Sequence, residues 1–417
     1  NQNLAHYYHS LHPSDYSSSD AKYLLQCANT HLELGASKHC DEALIESTSV
    51  ASPNSTATNT VISVITKDTP FIRDTLIMCI NGFGANIIFT HASLLEVGRD
   101  EKGNIRHLSP YKKGEGHEDE IESFMQFHLE FMLPESVDTL KGKMRRRIDA
   151  IHYVVSDWLI ARNRLLQIAD LLSAEKTPTS SSDFIRWIEN HNFAILGSAE
   201  IEQNTAQKTI VGESATGLFR YLLENDQDVA PFIPNLSFGP SSLIVTKLSV
   251  ASKIHRSRQM DVIAIHVDSC YYCLVGFLSG TSFNQSVFQV PLIKEKAERV
   301  LERSGLRSNS CSHKAMQNLL ESFPRALMFQ IKTDRLLQIG GSVLSHQERR
   351  KTHVYLTKDR CGHFYTSLVY LPRDIFDSEL RQKIQQRLHD LFEADFVLFD
   401  VRFFDSILCR IEFNIFT

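Results

Sequence analysis

Both signs of charge gather in one stretch of this sequence. Thr246-Lys247, His255-Arg256-Ser257 and Asp261 form a polar, basic loop between two runs that read as strands. An arginine flanked by hydroxyl donors can hold a carboxylate through charge-assisted hydrogen bonds. Lys247, His255, Arg256 and Asp261 are therefore the candidate effector-binding residues. The plainer alternative is a solvated loop in which Arg256 pairs with Asp261. His6, His9 and His12 recur every three residues, a spacing that could gather a metal ion on one helix face. Histidine is frequent here, at 18 residues, and no metal site is expected. Cys270-Tyr-Tyr-Cys273 has a redox or zinc spacing, but it sits in a strand-like run, where residues three apart point to opposite faces. No second ligand pair lies nearby, so two ordinary strand cysteines are expected. Gly82-Phe-Gly-Ala85 resembles the opening of a dinucleotide loop. A helix precedes it and a strand follows, the reverse of the order that puts a pyrophosphate on a helix N-terminus. Walker A, His-Glu-x-x-His and Gly-x-Ser-x-Gly motifs are missing, and no nucleophile–base set can be assigned from spacing. Catalytic, cofactor-binding and metal residues are expected to be none.

The elements that would position these residues follow from periodicity. Residues 4–45 read as helical, broken near Pro13. Ser47–Thr60 is small and polar and reads as a linker, as does Thr177–Ser182. Val61–Thr66 is a β-branched strand, and Asp68 or Thr69 can cap a helix that ends at Gly82 and Gly84. Asn86–Val97 and Ser123–Met132 are strands flanking the charged turn Arg99–Asn104. In the second of these, Met125, Phe127, Leu129 and Phe131 share one face, with Gln126, His128 and Glu130 on the other. This β-α-β-turn-β order is most of a ferredoxin-like unit.

Leu140–Leu172 reads as one long helix. Its Lys141, Lys143, Arg145, Arg146 and Arg147 run is expected to be a solvated face, because no aromatic residues interleave it as in a nucleic-acid platform. Strands are expected over 193–199, 243–247, 262–267 and 270–278, then helices over 293–303, 313–322 and 334–350. The final block reads β-β-α-β-β, with Leu380, Ile384, Leu388 and Leu391 as the buried stripe of helix 379–392. The fold class is α+β: two or three ferredoxin-like units with antiparallel sheets, joined by helical segments.

Composition narrows the function. The chain has 417 residues, is 42% hydrophobic and 22% charged, and carries a net charge of −5. That charge argues against non-specific nucleic-acid binding. No run approaches the length of a membrane span. Eight scattered cysteines do not make a disulfide scaffold, so a reducing, cytoplasmic setting is expected. The polar start Asn1–Ser10 lacks Met and does not read as a signal peptide; a fragment or a trimmed end is expected.

Read in order, several segments resemble the large NAD-dependent glutamate dehydrogenases of bacteria. Asp68-Thr-Pro-Phe-Ile-Arg-Asp74 is similar to that family's D-x-P-F-L-V-D-S helix start. Val245-Thr-Lys247, His255-Arg256, Asp261, Gly276-Phe-Leu278 and Asn284-Gln-Ser286 follow, then Ile293-Lys-Glu-Lys296 and Val300-Leu-Glu-Arg303. His313-Lys-Ala315, Pro324-Arg325, Phe329-Gln330, Gln347-Glu-Arg-Arg350 and Leu368–Asp374 complete the ordered set. The resemblance implies successive ACT-type domains ahead of a Rossmann catalytic domain that is not in this chain.

The implied organisation is a helical segment at 1–46, ACT-like domain 1 at 60–135 and a helical linker at 136–183. ACT-like domain 2 at 184–290, a helical segment at 291–350 and ACT-like domain 3 at 351–417 follow. The implied role is a regulatory and oligomerisation region. No cofactor is expected in this stretch, and NAD is expected for the parent enzyme, which deaminates L-glutamate. The implied partners are an amino-acid effector, the chain's own catalytic domain and further copies in a homo-oligomer, with no nucleic acid and no membrane. The alternative is a free-standing ACT-type amino-acid sensor.

Overall fold

The computed structural model describes residues 2–9, 11, 21–36, 43–52, 58–112, 121–174, 179–203, 208–234, 243–267, 269–346, 349–404 and 406–417. His12, Pro13, Thr177-Pro178 and Gln347-Glu348, all named above, lie outside these. Two compact units form: residues 1–155 with 252–257, and residues 156–251 with 258–417.

The first unit contains α1 (Gln2–Tyr7), α2 (Ala21–Gly35), β1 (Leu44–Ala51), β2 (Thr58–Lys67), α3 (Ile72–Phe83), β3 (Ile87–Arg99), β4 (Ile105–Pro110), β5 (Ile121–Leu129) and α4 (Pro134–Ser156). Of the stretch expected as a linker, residues 47–51 and 58–60 instead lie in the paired strands β1 and β2, registered from Leu44↔Ile65 to Ala51↔Thr58, and residues 53–57 lie outside the described residues. In β1, Ile45, Thr48 and Val50 are good strand formers, and the partner strand supplies the ladder. Strand order is β1-β2-β5-β3-β4. If β2-α3-β3-β5-α4 is matched to the first five elements of a ferredoxin-like β-α-β-β-α-β unit, β1 stands where the last strand would. The addition is β4, an edge strand beyond β3.

Every residue of β5 is buried, as are the eight interior residues of β2, so both faces of this sheet are covered. On one face, α1 and α2 pack Tyr7, Ala28 and Leu32 against Ile65 and Phe124. The other face carries Ile62, Val64, Met125 and Phe127, on the side of α3 and α4. Lys143 of α4 lies 4.8 Å over the Phe83 ring of α3. The face expected to be polar is thus core, and Gln126 and His128 need partners there. Gln126 donates to the Cys27 carbonyl and to Ser63 Oγ, both at 3.0 Å. His128 Nδ1 lies 2.7 Å from the Tyr23 hydroxyl. Arg99 of β3 makes a two-pronged pair with Glu122 of β5, at 2.8 and 2.7 Å.

The second unit opens with α5 (Trp158–Ala174) and α6 (Thr179–Trp187). The long helix expected over 140–172 is two helices, parted at Asp157. That carboxylate accepts the Gly217 N–H at 2.8 Å and pairs with Arg220 at 2.7 Å, a tertiary demand that local propensity does not reveal. The middle sheet holds β6 (Phe193–Gln203), β7 (Lys208–Ile210), β8 (Thr216–Gly217), β9 (Leu243–Ala251), β10 (Gln259–Val267) and β11 (Cys270–Leu278), with helix α7 (Leu218–Glu224) after β8. Its order is β7-β6-β11-β10-β9, with β8 on β6. Residues 184–290 therefore do not repeat the ferredoxin order. Strands β9, β10 and β11 follow one another without a crossover helix, and short connections make antiparallel neighbours.

Next come α8 (Gly280–Asn284), α9 (Ile293–Arg303), α10 (Cys311–Ser322), α11 (Arg325–Gln330) and α12 (Thr333–His346). The last sheet comprises β12 (His353–Lys358), β13 (Phe364–Pro372), β14 (Phe396–Phe403) and β15 (Leu408–Phe416), with α13 (Ser378–Phe392) between β13 and β14. Its order, β12-β13-β15-β14, repeats the wiring of the first sheet without the extra edge strand. Asp377 caps α13, accepting the Leu380 N–H at 2.6 Å. Leu380, Ile384 and Leu388 pack partly buried on Val369, Ile411 and Phe413. Leu391, expected in that stripe, is 70% exposed. The opposite face, through Leu368, Tyr370 and Leu408, packs on Met316, Leu320, Leu336 and Ile339 of α10 and α12. The chain is thus mixed α+β with antiparallel sheets.

Candidate functional site

The turn from β2 into α3 departs from relaxed geometry. Asp68 and Thr69 do not cap the helix. The residue before α3 is Phe71, at φ 72° and ψ −8°, with no side-chain cap. A bulky residue at positive φ is rare and costs on the order of 1 kcal/mol or more, so its surroundings must hold it. They do: the Phe71 carbonyl accepts the Thr75 N–H at 3.0 Å, and the His255 ring lies 4.6 Å from the Phe71 ring. His255 is itself at φ 66°, and its N–H donates to Thr75 Oγ1 at 2.9 Å.

Beside this turn is a cavity of about 440 Å³, lined in part by Asp68, Phe71, Arg73, Asp74, His9 and Tyr111. Burial pushes the Asp68 carboxyl above its usual range, an effect the Thr69 N–H partly offsets. Arg73 reaches Thr90 Oγ1 only at 3.4 Å, which leaves most of its donors for another acceptor. His255 Nδ1 lies 4.0 Å from Asp74. Carboxylate and guanidinium groups therefore face one small cavity. That arrangement can hold a zwitterion, with its ammonium toward Asp68 and its carboxylate toward Arg73.

The residues proposed from sequence divide between the two units. Lys247 and Asp261 are cross-strand partners on β9 and β10 and form an ion pair. Asp261 also accepts the Leu278 N–H at 3.0 Å and is 1% exposed, so its charge is satisfied inside its own sheet. His255 and Arg256 belong to segment 252–257, which groups with the first unit. The Arg256 N–H donates to the Ile254 carbonyl at 2.8 Å. Sequence reasoning missed Asp68 and Arg73 as site residues, although the motif that contains them had been singled out for its resemblance.

Cys270 and Cys273 are free thiols; Cys273 is buried, and burial raises its pKa. Among the described residues, no group of three or more potential ligands could hold a metal ion. Likewise, no described helix is long and apolar enough to cross a membrane.

Family models of glutamate dehydrogenase match in sequence order: its ACT1 domain over residues 4–144, its helical motif 1 over 290–349 and its ACT2 domain over 353–417. The chain belongs to the NAD-specific glutamate dehydrogenase family, as its ACT-domain N-terminal region. Its first and last sheets are those of the dehydrogenase's ACT1 and ACT2 domains. The NAD-specific glutamate dehydrogenase of Halomonas elongata is 26% identical over 384 residues, which are 86% of this chain and 24% of that protein. That of Pseudomonas aeruginosa is 26% identical over 380 residues, 86% of this chain and 23% of its own length. The Mycobacterium tuberculosis dehydrogenase is 24% identical over 239 residues, 56% of this chain and 14% of that protein. The chain thus spans about a quarter of the length of the first two relatives.

Proposed function

We propose that this chain is the non-catalytic, regulatory and oligomerisation region of an NAD-dependent glutamate dehydrogenase. The full enzyme would convert L-glutamate, NAD and water to 2-oxoglutarate, ammonia and NADH in the cytoplasm. The relatives' names support the reaction, and their greater length favours an attached enzyme over a free-standing sensor. The observation that carries a regulatory role is the cavity at the β2–α3 turn. It presents a partly buried carboxylate and an incompletely engaged guanidinium around a strained residue, the chemistry an amino-acid effector needs. Strain held at Phe71 is a local state that a ligand could bias, and such bias is what couples a binding site to a distant one.

The test is a thermal-shift screen of the twenty amino acids on wild type, Arg73→Ala, Asp68→Asn and Arg256→Ala. One amino acid should stabilise wild type and lose about ten- to a hundredfold in affinity in Arg73→Ala and Asp68→Asn. Equal stabilisation of wild type and those two variants, with loss only in Arg256→Ala, would move the site to the loop at 252–257. A lack of any stabilising amino acid would defeat the effector reading.

A further inference from the structure

The inner face of the last sheet carries two arginines side by side, with no ion pair to either among the described residues. Tyr370, Arg410 and Arg402 are direct cross-strand neighbours on β13, β15 and β14. Arg410 is 2% exposed; it donates to the Ser322 carbonyl at 2.8 Å and lies 5.7 Å from the Phe404 ring centre, yet its Nε has no partner. The Tyr370 hydroxyl is buried and likewise lacks a well-directed hydrogen bond. Arg325 adds a third guanidinium: it donates to the Gln285 carbonyl at 2.7 Å and keeps a second, buried nitrogen unbonded. Burial pushes its pKa down, Glu321 offsets part of this, and nearby Arg402 adds a smaller push down.

No salt bridge to Arg325, Arg402 or Arg410 forms among the described residues. The nearby carboxylates are otherwise engaged. Glu321 accepts from Ser286 Oγ and from the Val287 N–H. Glu412 accepts from Asn414 at 3.1 Å; burial raises its pKa and the neighbouring Arg410 offsets part of that rise. Arg410 is buried beside the exposed Arg402, and like charges set next to each other are costly unless an anion joins them.

A cavity of about 450 Å³ opens beside this row, between β13–β15 and helices α10 and α12. Tyr370 and Arg402 form part of its wall, and much of the rest is apolar, with Leu319, Val343, Leu344 and Phe403. Its size is that of a small-molecule site, and a few convergent polar groups in an apolar lining are how such sites orient a ligand. An inorganic anion would use the arginine but leave the apolar wall unfilled.

We propose that this cavity binds a small organic carboxylate, its carboxylate on Arg402 and the Tyr370 hydroxyl and its hydrocarbon body against Leu319, Val343 and Leu344. The site is separate from the β2–α3 cavity. It joins the helices of helical motif 1 to the ACT2 sheet, so its ligand would tie those two elements together.

Sodium hexanoate, hexanamide and sodium sulfate, titrated by calorimetry into the full chain, test this. Hexanoate should bind, with hexanamide and sulfate each at least about tenfold weaker. Arg402→Ala should weaken hexanoate by about ten- to a hundredfold, the loss of one charge-assisted contact. Arg402 is exposed and makes no ion pair, so this variant keeps the fold. A second variant, Ala315→Trp, should block the cavity while leaving every arginine in place. Unchanged hexanoate affinity in Arg402→Ala would overturn the proposal. So would hexanamide binding as well as hexanoate, sulfate binding as well as hexanoate, or no hexanoate binding at millimolar concentration.

Discussion

Lowering the pH from about 7 to about 5 should loosen the first unit, through three buried histidines on one face of its sheet. His31, His91 and His128 are 0%, 3% and 1% exposed. Each has uncharged partners suited to a neutral ring, and His91 Nε2 also lies 3.1 Å from Ser93 Oγ. Tyr7 OH lies 2.8 Å from His31 Nδ1, the Tyr7 carbonyl 3.0 Å from His91 Nε2, and Tyr23 OH 2.7 Å from His128 Nδ1. Further carboxylates are not among these partners. Burial is the main cause that lowers the pKa of His31 to about 3 and of His91 and His128 to about 4; repulsion from His91 adds to it at His31 and His128, and repulsion from His9 and Arg73 adds to it at His91.

A histidine depressed in the fold stays neutral there while the unfolded chain takes up a proton below about pH 6.5. Stability is therefore complete above that value and falls as pH drops, until the folded rings themselves titrate near 4 and 3. The slope is about 1.4 kcal/mol per pH unit per histidine, so each costs about 2 kcal/mol by pH 5. Three independent rings would remove roughly 6 kcal/mol and lower the unit's melting temperature by about 10–20 °C. Hydrogen exchange of the β2 and β5 amides isolates this unit from the rest of the chain. His128→Gln should reduce the pH slope by about one third. An unfolding midpoint that does not move between pH 7 and 5, or a slope that His128→Gln leaves intact, would refute this account.

Two further outcomes concern packing. Ile384→Asp sets a charge on the α13 face that packs on Val369 and Phe413, and should destabilise the last sheet by about 1–3 kcal/mol, read by denaturant unfolding. The effect is smaller than for a fully enclosed site, because Ile384 is only partly buried. Gly276→Ala should cost about 2–3 kcal/mol or abolish folding, since a Cβ there would meet the Ala194 carbonyl at 2.0 Å; wild-type stability in this variant would mean the β6–β11 register is wrong.

Where an element's own residues set its structure, the sequence could be read closely. Helix 293–303 is one case: Ile293, Ala297 and Val300 are its buried stripe, and Glu295 and Arg299 lie 3.6 Å apart on its outer side. The final β-β-α-β-β block is another. Strand β1 was obscured because its Ser residues match a linker while Thr48 and Val50 suit a strand, and only β2 decides between them. The break at Asp157 was hidden because its cause, Gly217 and Arg220, lies about sixty residues away. The candidate sites follow the same division. Lys247 and Asp261 sit opposite one another in adjacent strands, so their pairing was within reach of the pattern. The positive φ of Phe71 depends on what surrounds it. The Tyr370–Arg410–Arg402 row requires the register of three strands at once, and no spacing along the chain encodes that.

The shared wiring of the first and last sheets bears on their synthesis. In both, the final strand of the sheet, β5 or β15, is inserted between two strands made earlier. Hairpins β1–β2 and β3–β4 can close as soon as they leave the ribosome, and so can β12–β13. Strands β2 and β3, and β13 and β14, have no common ladder until the last strand arrives. Each sheet therefore waits with two open edges, each a template for wrong pairing. Losing the last strand would remove two ladders from the middle of the sheet, whereas losing β12 would remove one from its rim.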